Sequence, residues 1–208
     1  MLGNGFAIGN ATIGTPQSIN VAATVLSQIS LAVSSSSYGG QTFSHVDHYL
    51  VPYVEKTHKK NLAFCAEHGL SEDLAHEMTE KAVYDSMQTF LYQINSLTNC
   101  NGQSPFVTIS MGLDTSDFGR MITRNYLKIH KAGLGEDHVT PVFPKVLFFL
   151  EEGVNMNPGD PNYDLKRLAL ECCAERIYPD FVSVPLNRKV TGSTEGNVTS
   201  MGKLLLLM

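Results

Sequence analysis

The sequence predicts an α/β protein in which helices lead and short buried strands then alternate with helices. Three observations carry this. Apolar residues recur at helical spacing over about residues 16–34, 46–67 and 72–97. Past residue 104, three β-branched and aromatic runs appear, at about 105–111, 142–150 and 181–184. Helical patterns separate those runs, which is the order of a layered sheet or an α/β barrel. Three strands cannot close a barrel, so the predicted sheet is incomplete.

Each element has a local reason. Thr15-Pro16 reads as an N-cap followed by proline at the first helical position. Ile19, Ala22, Ala23, Leu26, Ile29 and Val33 then form one apolar stripe. The serine run after it, with Gly39-Gly40-Gln41, reads as a loop that needs positive φ. Val46–Glu67 reads as a helix interrupted at Pro52. Ser71 opens the next helix, with Glu72 and Asp73 at its positive end and Leu74, Met78, Ala82, Leu91, Ile94 and Leu97 facing inward. Pro105 opens the first strand. Phe118–Ala132 reads as a helix stopped by Gly133. Asp160-Pro161 caps a helix running to about Tyr178, with Leu165, Leu168, Ala169, Cys172 and Ile177 inward.

The chain has 208 residues, 43% apolar and 17% charged, with a net charge of −5. This suits a folded globular protein and argues against a nucleic-acid partner. No apolar run suggests a bilayer span or a secretory signal, so no membrane association is expected. Cys65, Cys100, Cys172 and Cys173 form no CxxC pair, which fits reduced thiols in the cytoplasm rather than a zinc site.

Several polar constellations admit two readings. Asp114, Asp117 and Arg120 suit either a ribose or phosphate, or helix capping and surface pairing. His45-x-Asp47-His48 places two histidines three apart, but spacing supplies no third metal ligand. Gly153–Asp164 reads as a loop leading to a helix, and Thr191–Gly202 as a mobile glycine-rich loop without a phosphate-loop lysine.

Six ordered segments carry a family resemblance. They are Ile13–Ile19; Tyr38-Gly39-Gly40-Gln41 with Asp47 and Pro52-Tyr53; and Asn101-Gly102-Gln103-Ser104-Pro105-Phe106. Next come Gly133-Leu134-Gly135; Pro141–Lys145; and Asp160–Asp164 with Leu168–Cys172 and Tyr178-Pro179-Asp180. Together, over about residues 2–202, they resemble the anaerobic, glycyl-radical (class III) ribonucleoside-triphosphate reductases.

The resemblance implies a helical effector and dimerisation region over about 1–98 and part of a ten-stranded glycyl-radical α/β barrel over about 99–202. A leucine-rich tail follows at 203–208. It implies reduction of ribonucleoside triphosphates to deoxyribonucleoside triphosphates by radical chemistry. ATP or deoxynucleoside triphosphates act as effectors, the protein is a homodimer, and an S-adenosylmethionine iron–sulfur activase generates the radical. On this chain it implies Gln28, His58, Lys59 and Lys60 as effector contacts, and Gln103, Ser104 and Ser200 as residues adjacent to substrate. No cofactor is expected to be bound by this chain itself.

The chain also departs from the family. Met201-Gly202 precede the position of the radical cysteine, but Lys203 stands there. A lysine has no S–H to oxidise. None of the four cysteines matches a catalytic position, and no glycyl-radical segment is recognised. The expectation is an internal piece of the reductase, inactive alone. The alternatives are a non-catalytic nucleotide-binding or dimerisation module and a fragment of another glycyl-radical enzyme.

Overall fold

The computed structural model describes residues 2–36 and 39–192. It opens with an antiparallel hairpin of β1 (Phe6–Ile8) and β2 (Ala11–Ile13), closed by Gly9-Asn10. Gly9 has φ 55°, as a two-residue hairpin turn requires. Gly-Asn between two short apolar runs is the sequence signal for this hairpin. Apolar spacing misses it because strands of three residues show no period.

Helix α1 spans Ile19–Ser36, three residues later than Thr15-Pro16 implies. Ser18 starts it: its hydroxyl accepts from Val21 N at 3.3 Å and its carbonyl from Ala22 N at 3.1 Å. Thr15 instead donates to Gly3 O at 2.8 Å. The stripe Ile19, Ala22, Ala23, Leu26 and Ile29 is buried as expected. Against the membrane expectation, α1 has a mean hydropathy of 1.3, enough by length and composition to cross a bilayer. Its apolar stripe nevertheless lies in the protein's core.

The next helix does break, at Leu50, into α2 (Val46–Tyr49) and α3 (Val51–Glu67), with Pro52 in the first turn of α3. Helix α4 spans Glu72–Ser96, capped by Ser71, whose hydroxyl accepts from Leu74 N at 3.2 Å. Its buried line is Ala75, Thr79, Val83, Met87, Phe90, Leu91 and Ile94. Leu74, Met78 and Ala82 are only half-buried, and Leu97 lies beyond the helix and is exposed. The face is shifted because α4 packs on three helices, α1, α3 and α5 (Asp117–Ala132). Inward Thr79 and Ser86 are satisfied by Ala75 O and Ala82 O of their own helix.

Four strands, β3 (Gln41–Phe43), β4 (Val107–Met111), β5 (Lys145–Leu150) and β6 (Asp180–Ser183), form one parallel sheet in chain order. β3 was not expected: Gly39, with φ 101°, belongs to the predicted loop, but Gln41 already pairs with Val107. Right-handed crossovers repeated without reversal place their helices on the same face, as in a barrel wall. Phe43, Val107, Ile109, Met111, Val146 and Phe148 accordingly share one core with α1, α4, α5 and α6 (Tyr163–Arg176). The opposite face carries Leu147 and Phe149 beside Val184, and a row of hydroxyls, Thr42, Ser44, Thr108 and Ser110. A final helix, α7 (Val184–Thr191), was also not predicted. It occupies the first residue of the expected glycine-rich loop; residues 193–208 lie outside the described ones.

Helix α6 is shorter at both ends than the Asp160–Tyr178 reading, because Asn162 stands at its N-cap. Ile177 follows it at φ 72° and is 78% exposed, not inward. A β-branched residue is strained there, where a helix end favours glycine. Ile177→Gly is therefore expected to stabilise the protein by about 1 kcal/mol, read as a higher urea midpoint. A lower midpoint would contradict the strain.

Candidate functional site

Two clefts lie at opposite ends of the sheet. The first is at the amino ends of β3 and β4. There Asn99 builds a tight turn: its side-chain oxygen accepts from Asn101 N and Gln103 N, both at 3.0 Å. Its amide also donates to Ser34 O at 3.2 Å, tying the turn to the last turn of α1. Between them lies a cavity of about 220 Å³, lined by Ser34–Ser36, Gly39, Asn99, Asn101, Gln103, Ser104 and Phe106. The sequence-derived Gln103 and Ser104 thus share one cavity. Its lining has hydroxyls, amides and an aromatic ring but no charged side chain. Such a lining suits an uncharged hydrogen-bonding ring rather than a phosphate.

The second cleft is at the carboxyl ends of β3 and β4, the usual ligand-binding end of parallel strands. Asp47, 0% exposed, is its anchor. Its carboxylate accepts from Gly112 N at 2.7 Å, Asp114 N at 3.2 Å and His48 N at 3.1 Å. Burial pushes its pKa up, opposed by the Gly112 and Asp114 amides and by His45. Buried Asn155 and Asn162 both donate to Gly112 O, at 3.0 and 3.1 Å, and Asn162 also to Asp114 O at 2.9 Å. The β4–α5 turn is thereby held from several sequence-distant points.

On that turn, Asp114 lies 2.7 Å from His48 Nδ1 and also accepts from Ser116 N at 2.9 Å and from its hydroxyl. Burial alone would raise the Asp114 pKa; the bonds from Ser116 and His48 outweigh it and hold the carboxyl below its usual range. Gly119 leaves room for this carboxylate, since a Cβ there would collide with the Asp114 carboxyl group. Asp114, Asp117 and Arg120 do not converge. Ser116 caps α5, Asp117 sits in its first turn, and Arg120 pairs with Asp164 at 2.9 Å. Capping and pairing is the reading the geometry supports. His45 and His48 do line the same cleft, but no group of three or more metal-ligating residues exists among the described residues.

The four effector candidates do not form one cluster within a chain. Gln28 is exposed on α1. His58 turns inward, with Nδ1 3.1 Å from Thr79 Oγ1 and its ring against His76 and Phe118. Lys59 is exposed, and Lys60 donates to Gln17 O at 2.9 Å, just before α1 begins. The rise of an α-helix puts Gln28 on the order of 15 Å from that point. Ser200, Met201, Gly202 and Lys203 lie outside the described residues. All four cysteines are free, and burial pushes the Cys172 thiol up to about 12. The buried Asp47–Asn155–Asn162 network and the hydroxyl face of the sheet were missed, because no local pattern links residues so far apart.

A singly wound parallel sheet with its crossover helices on one face, and clefts at the strand ends, is the pattern of an α/β barrel wall. The chain belongs to the anaerobic ribonucleoside-triphosphate reductase family, whose sequence profile matches residues 1–207. The anaerobic ribonucleoside-triphosphate reductase of Enterobacteria phage T4 is 48% identical over 196 residues, 93% of this chain and 32% of that protein. Those of Haemophilus influenzae and Escherichia coli K12 are 45% and 43% identical, with 28% and 27% of their lengths covered. The chain therefore spans about a third or less of these relatives. The fold matches the crystal structure of the anaerobic ribonucleotide reductase from Thermotoga maritima with citrate in the active site. That match has a TM-score of 0.59 at 12% identity and covers 85% of this chain and 32% of that one.

Proposed function

We propose that this chain forms the effector-binding and dimer-forming layer, with four barrel strands, of an anaerobic ribonucleoside-triphosphate reductase. The whole enzyme would convert ribonucleoside triphosphates to deoxyribonucleoside triphosphates in the cytoplasm, with its radical generated by an S-adenosylmethionine iron–sulfur activase. The alternatives, a nucleotide-binding module or another glycyl-radical enzyme, lose ground to the family match over residues 1–207.

The observation that carries the dimer is the outer face of α1. Its inner stripe is already used inside the chain. Val21, Thr24, Gln28, Leu31 and Ser35 recur at alternating three- and four-residue spacing on its outer side and are exposed or half-buried. No charged residue occurs anywhere in α1. Such a seam can pair with its own copy. Across a two-fold axis, Gln28 would meet its counterpart, giving amides for an effector base, while Lys59 and Lys60 would serve its phosphates from α3. His58, turned inward, supports α3 and α4 instead. The uncharged cavity holding Gln103 and Ser104 would read the base of a nucleotide, and the hydroxyl face of the sheet would face the ribose. Buried Thr42 Oγ1 and Ser44 Oγ have no hydrogen-bond partner, which supports a polar ligand on that side.

Two measurements test this. Val21→Glu should convert a dimer to a monomer in analytical ultracentrifugation, since two like charges would meet in the seam. Gln28→Ala should weaken deoxynucleoside-triphosphate binding about tenfold by calorimetry, the equivalent of ~1.4 kcal/mol. A wild-type chain that is strictly monomeric and binds none of these nucleotides would overturn the reading.

A further inference from the structure

We propose that the cleft at the carboxyl ends of β3 and β4 is a hydroxyl-binding site, in which Nε2 of His48 accepts a hydrogen bond from a neutral hydroxyl-bearing ligand. The cleft measures about 480 Å³. It lies at the other end of the strands from the cavity that holds Gln103, and neither the family assignment nor the nucleotide reading uses it.

The tautomer follows from the geometry. His48 Nδ1 stands 2.7 Å from a carboxylate oxygen of Asp114. Asp114 also receives the Ser116 amide and hydroxyl, so it is an acceptor and Nδ1 must carry the hydrogen. The neutral ring then bears a bare lone pair on Nε2. The side chain is 67% exposed while that of Asp114 is 9% exposed, which puts the ring's other edge on the open side. An imidazole oriented by a carboxylate in this way presents a fixed hydrogen-bond acceptor to the open side.

The surroundings set the ligand class. Tyr49, Leu113 and Thr115 line the cleft, and no lysine or arginine does. The one lining carboxylate is already occupied by His48 and Ser116. No lysine, arginine or unoccupied carboxylate is there for a charged ligand, while an O–H finds an acceptor at Nε2. The contact is a hydrogen bond and no more: the ligand keeps its O–H proton, since no lysine or arginine lines the cleft to hold an oxyanion.

Two further features argue for a built site rather than a chance pair. His45, which also lines the cleft, is held at φ 51° and ψ 49°, a strained conformation for a residue other than glycine. The turn that carries Asp114 is pinned by three fully buried side chains, Asp47, Asn155 and Asn162. A surface ion pair needs no such support. Asp114 is thus a positioning residue, acting through His48.

The test uses the full chain. Imidazole nitrogen spectra at a pH where His48 is neutral should show the Nδ1–H tautomer, and Asp114→Ala should return it to the Nε2–H form that free histidine prefers. A wild-type Nε2–H tautomer would overturn the proposal. Titration with ribose should move the His48 resonances saturably and weaken at least tenfold in Asp114→Ala, and the heat of ribose binding in calorimetry should be lost in His48→Gln, an exposed change that leaves the fold intact. Saturation by ribose 5-phosphate but not by ribose would mean an anion site and reject the proposal, as would no saturation by either. Because the effector reading is tested on α1, the two can fail separately.

Discussion

Asp47→Ala is expected to lower the unfolding free energy by about 4 kcal/mol, the range for breaking a buried charged hydrogen-bond network. The carboxylate is fully buried and accepts from three backbone amides, those of His48, Gly112 and Asp114. Alanine would leave the Gly112 and Asp114 donors without a partner, while His48 N keeps His45 O at 3.0 Å; each such loss inside a protein costs about 1–3 kcal/mol. It would also release the turn between β4 and α5, which the carboxylate holds at Gly112 N and Asp114 N. For a protein of this size the loss corresponds to a drop in melting temperature on the order of 10 °C. Urea unfolding of the variant beside Lys81→Ala checks it. Lys81 makes an exposed pair with Asp85 at 2.9 Å, and its removal should change little. Equal, small effects of the two substitutions would show that Asp47 is not the anchor described.

The second large effect is acid destabilisation through His130. This side chain is 0% exposed at the α5–α6 interface, and neither ring nitrogen has a hydrogen-bond partner. Its ring lies among Tyr126 and Tyr178, with centroids 6.1 and 6.4 Å away. Burial first, and then the charge of Arg176, pulls its pKa down to about 4 from 6.5. The sign follows from proton counts. Between these two values the unfolded chain binds a proton that the folded chain refuses, so stability falls as pH drops from 6.5 to 4. The full loss is on the order of 3 kcal/mol. His130→Phe should flatten that part of the stability curve, since a ring of similar shape carries no titrating nitrogen. Urea midpoints at a series of pH values decide the matter: an unchanged slope in the variant would assign the acid sensitivity to other groups.

Much of the helical frame was legible in the sequence. Ser71 before α4, Gly133 after α5 and Pro52 in the first turn of α3 act through their own backbone neighbours, so local chemistry locates them. The long helices show their period, and β5 shows a continuous apolar run because both its faces are covered, while β4 alternates apolar residues with buried hydroxyls. β1, β2, β3 and α7 were not legible, for they are three to eight residues long and too short to carry a pattern. The orientation of α4 was misread because three neighbouring helices, rather than its own stripe, choose the buried side. Gln103 and Ser104 were found as candidates through an ordered motif, and the structure puts both on one cavity. Gln28, His58 and Lys60 came from the same resemblance, yet they point in three directions.

By itself the sequence determined the α/β class, the long helices with their caps, the three strands β4, β5 and β6 that follow prolines, and the family. Each of these is encoded in residues within a few positions of one another, or in an order of short motifs. Tertiary structure alone decided the strand order, the two faces of the sheet and the polar assembly at its carboxyl end. His48 and Asp114 are 66 residues apart in the chain, and Asp47 and Gly112 are 65 apart. Their meeting depends on β3 and β4 pairing in parallel, a non-local contact that no local pattern of side chains specifies.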